Sequence, residues 1–163
     1  MTILRAFHND PAIKAKYLAR LRAHERADEI IHDIGWENGK GCAIGCTLNK
    51  YDHEAYETEL GVPESIARLE DVLFEGQSNG AAQTFPRRLL AAIPVGADLS
   101  MVTPRFVYWL LVDPQHGVIR FANGDGILAI QRVAALYQHW IDTTQPIPAS
   151  AASAAESAAW SAT

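Results

Sequence analysis

The chain has 163 residues, 48% hydrophobic and 20% charged, which is enough apolar material for a core and the length of one domain. A formal net charge of −5 argues against nucleic acid as the main partner, two cysteines cannot build a disulfide framework, and the longest apolar run, 106–112, is too short to span a bilayer. The opening MTILRAFHND lacks the apolar stretch of a signal peptide, so the expectation is a cytoplasmic protein with reduced thiols and no membrane or nucleic-acid partner.

Helix signals dominate. Pro11 can open a helix, and Ile13, Tyr17, Leu21, His24, Asp28 and Ile31 then recur at spacings of three and four. This predicts one helix to about Asp33, stopped by Gly35, with His24, Asp28 and His32 stacked at i, i+4 and i+8. Within Trp36–Cys46, WENGKGCAIGC, the Trp36–Gly41 approach reads as a tight inter-helix turn leading to a helix start near Cys42. Pro63 opens a further helix that Gly76 ends, with Ile66, Leu69 and Leu73 on its inner side and acids outside. Pro86 opens a short one with Phe85, Leu89 and Ile93 aligned. Thr103-Pro104 starts another, whose FVYWLLV is apolar on all sides and suits a buried helix or a buried strand. Asp125 can cap a last long helix striped by Ile127, Ile130, Ala134, Tyr137 and Ile141. The expected fold is all-α, a globular domain of six or seven helices over 1–144. The pair Asn123-Gly124 leaves room for a small antiparallel ribbon between Val107 and Ile130. Residues 145–163 read as a Pro-containing linker and an Ala/Ser-rich tail, AASA-AESA-AWSA, that docks, frays or makes a homo-oligomer.

The charge is uneven. Residues 1–50 carry eight Lys/Arg against six Asp/Glu, residues 51–80 carry eight acids against Arg68 alone, and residues 81–163 carry five of each. The negative excess therefore sits in the middle third, as a solvated face or a surface for a basic partner.

Chemistry is most concentrated around the two cysteines. Free N–H groups at a helix start, with Lys40 nearby, would lower the Cys42 pKa, and Cys46 follows one turn later. Buried structural thiols, a reactive thiol, and a metal pair completed by His53 or His32 are the three readings. The favoured site is a pocket for a protein partner or small ligand where His24, Asp28 and His32 meet Lys40, Gly41, Cys46 and His53. It invokes no cofactor and no metal. The rival is a cysteine-dependent hydrolase. Cys42 and His116 faintly resemble the nucleophile and base of papain-like peptidases, with Asn123 or Asp125 as orienter, which would imply acyl transfer. Phosphate-loop, dinucleotide, HExxH and serine-elbow patterns are missing from the sequence.

WENGKGCAIGCTL, ELGVPESIARLEDVLFEG and AAIPVGADLS, with the Ala-rich tail, resemble a group of phage- and prophage-associated bacterial proteins of no established activity. The resemblance implies a mobile-element accessory protein.

Overall fold

The computed structural model describes residues 4–148, 150 and 151. The Ala/Ser repeat and any oligomerising role for it lie outside these residues. The chain is organised as two compact units, Met1–Ser100 and Met101–Thr163, a division that falls inside the stretch read from composition as one domain.

The first unit opens with a 3-10 turn, Ala6–Asn9, in which Phe7, His8 and Asn9 all take left-handed φ values (54°, 50° and 62°). Such conformations are costly for non-glycine residues. Here Phe7 is fully buried in the core. The N–H of Ala6 donates to the Ala97 carbonyl (3.0 Å) and the N–H of Gly96 to the Ala6 carbonyl (2.8 Å), clasping the two ends of the unit together.

Helix α1 (Pro11–Arg26) starts as its sequence demands: Pro11 stands in the first turn and the Asp10 side chain accepts from the Ala12 N–H at 2.7 Å. It buries Tyr17 and Leu21. The helix does not run to Asp33. Asp28 turns left-handed (φ 56°), the Glu29 N–H closes the helix end on the His24 carbonyl (3.1 Å), and the Glu29 carbonyl and Ile31 N–H then bond Gly41. The i, i+4, i+8 stack of His24, Asp28 and His32 therefore does not exist: only His24 is on the helix.

The turn at 36–41 is a two-stranded antiparallel hairpin, β1 (Trp36–Glu37) and β2 (Lys40–Gly41). Its loop is Asn38-Gly39, both at positive φ (50° and 84°), the backbone that a two-residue hairpin requires. Helix α2 (Ala43–Leu48) follows with Cys42 as its N-cap, close to where the sequence placed the helix start, and all six of its residues are buried. Then come α3 (Ala55–Leu60), α4 (Glu64–Glu75), the single turn α5 (Asn79–Ala82) and α6 (Phe85–Ala92). The inner stripe of α4 is Ile66, Glu70 and Phe74; the expected Leu73 is 39% exposed. A carboxyl that the sequence reading placed on the outer side thus occupies a core position. The core of this unit runs from Ala6 to Leu99.

The second unit is a helical hairpin. Helix α7 (Val102–Val112) and helix α8 (Gly124–Thr143) pack together, joined through a 3-10 turn at Val118–Phe121. The ribbon envisaged between Val107 and Ile130 is absent, because both flanks of Asn123-Gly124 are helical and Asn123 caps α8. FVYWLLV is a helix, yet not a buried one: Trp109 and Leu110 are 41% and 38% exposed. Among the described residues no helix is long and apolar enough to cross a membrane.

Candidate functional site

Two of the glycines of GKGCAIGC, Gly41 and Gly45, serve packing, while Gly39 serves the hairpin turn. Helix α2 crosses Gly35 and Trp36 so closely that a Cβ at Gly41 or Gly45 would run into the Gly35 carbonyl oxygen. The Cys42 N–H donates to the Ile34 carbonyl at 2.7 Å, fixing the crossing. A Cβ on Gly35 would in turn strike the Tyr51 ring. Three glycines from two segments meet because backbone must touch backbone.

Both thiols are part of this crossing. Cys42 is 1% exposed and its Sγ donates to the Gly35 carbonyl; Cys46 is fully buried and its Sγ faces the carbonyls of Gly41 and Glu29. Burial pushes each thiol up to about 12. At Cys42 the N–H groups of Gly45 and Ile44 pull the other way, as a helix start should, and the Asp71 carboxylate beside the thiol adds to the rise. Desolvation wins, so the expected thiolate activation is overturned.

Next to Cys42 lies a polar cluster that the sequence reading missed apart from His53. Asp71 Oδ2 accepts from Tyr51 Oη (2.8 Å) and from His53 Nε2 (3.1 Å). Tyr56 Oη, fully buried, donates to Glu70 Oε2 at 2.8 Å. Glu70 is 1% exposed, and burial raises its carboxyl from 4.5 to about 8, against the pull of the Tyr56 bond. Glu70 Oε1 and Asp71 Oδ1 are buried without a hydrogen-bond partner among the described residues. Tyr51 and Tyr56 at five-residue spacing opposite Glu70-Asp71 were visible in the sequence, but adjacent acids on a helix read more simply as solvated.

His24 is held on both sides. Its Nδ1 meets Glu29 Oε2 at 2.6 Å, its Nε2 meets Asn49 Oδ1 at 3.1 Å, and Trp36 stands against it edge-on. Lys40 is exposed on β2. These residues do not line a common cavity with Asp28 and His32.

The cavity that does form, about 490 Å³, is lined by Asp28, Ile30, Ile31, His32, Asp33, Asn79, Ala82 and Gln83. Ending α1 early and pairing 29–31 with Gly41 swings residues 28–33 opposite the single turn α5. Gln83 Nε2 donates to Asp28 Oδ1 (2.6 Å) and to the Ile30 carbonyl (3.2 Å), tying the two walls together. His32 leans on the Phe74 ring, with Nε2 at 3.2 Å from the Phe74 carbonyl. Its Nδ1 lies 3.0 Å from Asn79 Oδ1, so both ring nitrogens face acceptor oxygens. Asp28 and Asp33 both take left-handed φ (56° and 65°).

Of the sequence-derived pocket residues, then, Asp28 and His32 face one cavity, while His24, Lys40, Gly41, Cys46 and His53 belong elsewhere in the same unit. His116 lies in the other unit, on the turn after α7, with Nδ1 at 3.1 Å from Asp113 Oδ1 and its ring stacked on Trp109. Cys42 and His116 are thus each committed to partners within their own unit. Among the described residues no three His, Cys, Asp or Glu side chains are grouped so as to hold a metal ion. Comparison with family models, with curated proteins and with solved structures finds no match.

Proposed function

We propose that this chain is a ligand-binding accessory protein whose site is the cavity between residues 28–33 and 79–83. Its ligand is a small, hydrogen-bonding molecule, neutral or cationic. The observation that carries this reading is the cavity itself: at about 490 Å³ it lies in the range that holds small ligands. Its lining brings two aspartates, a histidine and two amides together with Ile30, Ile31 and Ala82. No Lys or Arg lines it, so an anion has no counter-charge there. The phage-associated setting implied by the sequence resemblance is carried within the same proposal.

A thermal-shift panel of polyamines, amino acids, sugars and nucleotides tests it, followed by calorimetry on the compounds that stabilise the protein. A neutral or cationic compound should raise the melting temperature. Asp33→Ala and Asn79→Trp, both at exposed rim positions, should remove that rise without unfolding the protein. Ligands that are all anionic, or whose affinity neither substitution moves, would remove the assignment.

A further inference from the structure

The sequence holds three Asn-Gly pairs, at 38–39, 79–80 and 123–124. All three share one latent reaction. A glycine nitrogen, unshielded by any side chain, can attack the amide carbon of the asparagine before it and close a ring. Only one of the three pairs stands beside a group that can assist.

Asn79 is exposed at the start of α5 and lines the cavity. Its Oδ1 lies 3.0 Å from His32 Nδ1. His32 is held in place from its other side, by the Phe74 carbonyl at 3.2 Å from Nε2 and by the Phe74 ring at 4.8 Å. With a proton on Nδ1, the imidazole donates to the Asn79 amide oxygen. Folding alone makes this contact, since the two residues are 47 positions apart. The nucleophile is equally free. The Gly80 N–H has no acceptor among the described residues, and the space that a Cβ would fill at Gly80 is empty. Helix α5 is a single turn, so little cooperative structure has to open for the two atoms to meet. The other two pairs differ. Asn38 is set at φ 50° in the hairpin turn, and the Asn123 side chain makes no capping bond at α8. Neither amide has an imidazole nitrogen within hydrogen-bond distance among the described residues.

We propose that Asn79 is a self-modification site, converted to aspartate and isoaspartate with His32 as the catalytic group. The Gly80 nitrogen bonds to Asn79 Cγ while the carbonyl π pair moves to Oδ1, which becomes an oxyanion. His32 Nδ1–H stands where that charge forms, the position of an oxyanion donor. The pair then returns, the Cγ–Nδ2 bond breaks, and Nδ2 leaves as ammonia with the proton from Gly80. A five-membered succinimide remains. Solvent water opens it at either carbonyl, so the net change is one water in and one ammonia out. The product sets a carboxylate beside His32, and the cavity lining passes from two acids to three with no Lys or Arg to balance them. The reaction needs no bound ligand.

Peptide mapping by mass spectrometry tests this on the full chain, kept folded near neutral pH. Trypsin places each pair in a peptide of its own, 27–40, 69–87 and 121–132, and the reaction reads as the mass gain of an amide turned acid. The chain unfolded in guanidinium chloride supplies a reference rate for each pair. Relative to that reference, Asn79 should lead Asn38 and Asn123 by at least about tenfold in the folded protein, part of what one oxyanion donor contributes in an enzyme. His32→Phe keeps a ring against Phe74, whose carbonyl still accepts from the Gln77 N–H, and should abolish that lead without moving the other two rates. Circular dichroism shows whether the variant folds; if it does not, the wild-type comparison decides alone. An Asn79 rate no higher than the other two overturns the proposal, as does a lead that a folded His32→Phe leaves intact.

Discussion

Glu70→Gln is the sharpest probe of the core. Glu70 is 1% exposed, takes the Tyr56 hydroxyl at 2.8 Å, and has its carboxyl raised from 4.5 to about 8 by burial. Below pH 4.5 both folded and unfolded chains hold the proton, and the group does not discriminate between them. Between 4.5 and about 8 the unfolded chain has released a proton that the folded chain keeps, so stability falls as pH rises. The slope is about 1.4 kcal/mol per unit, or about 5 kcal/mol across the window as an upper bound. Glutamine still accepts from Tyr56 but cannot ionise. Its amide adds a buried donor, a pH-independent cost of about 1–3 kcal/mol. Urea denaturation of both proteins from pH 4 to 9 gives the comparison. The variant should be no more stable than wild type near pH 4 and should gain on it steadily to about pH 8. Two curves that run parallel between pH 5 and 8 would refute the reasoning, since the difference between them isolates this one group.

Three further expectations are simpler. Gly45→Ala pushes a methyl into the Gly35 carbonyl and should cost about 3 kcal/mol or more, read as a fall in melting temperature, whereas Gly39→Ala meets open space and only the strain of its φ of 84°, about 1 kcal/mol. A similar loss for the two would mean that the crossing is looser than described. Both thiols should resist a disulfide reagent at pH 8 in the native protein and react fully in urea; rapid native labelling of Cys42 would revive the nucleophile. Glu25→Ala removes the ion pair to Arg87, whose Nε–Oε2 distance is 2.6 Å, and should cost at most about 1 kcal/mol in thermal unfolding because both side chains are partly exposed. A loss several times larger would show that α1 depends on α6 through this pair.

The helical class was legible because Pro11, Pro63 and Pro86 stand at or beside helix starts and the apolar spacing between them is unambiguous. What misled was local. Asp28 looked like the next rung of α1, yet a short polar side chain tolerates left-handed backbone, and the bonds to Gly41 exist only after folding. Two Asn-Gly pairs gave the same turn signal: 38–39 makes the hairpin and 123–124 opens a helix. The difference is that residues 29–31 are at hand to pair with Gly41, a long-range fact outside any sequence window. Glu70 was misassigned for a related reason. A carboxyl goes inward only when a partner such as the Tyr56 hydroxyl awaits it, and the partner lies fourteen residues away. The cavity inherits both effects. Asp28 and His32 were chosen for a shared helix face that does not exist, and they meet because the helix stops short.

The clasp between Ala6 and Gly96–Ala97 has a consequence for how the chain comes off the ribosome. The N-terminal turn packs on α1 and α3, and His8 Nε2 lies 3.1 Å from the Thr58 carbonyl, so these contacts can form once about sixty residues have been made. The bonds from Ala6 to Gly96 and Ala97 must wait for the far end of the unit and are the last that the turn gains. A chain released before residue 96 therefore lacks the clasp, and Ala6 then presents an unpaired N–H and carbonyl.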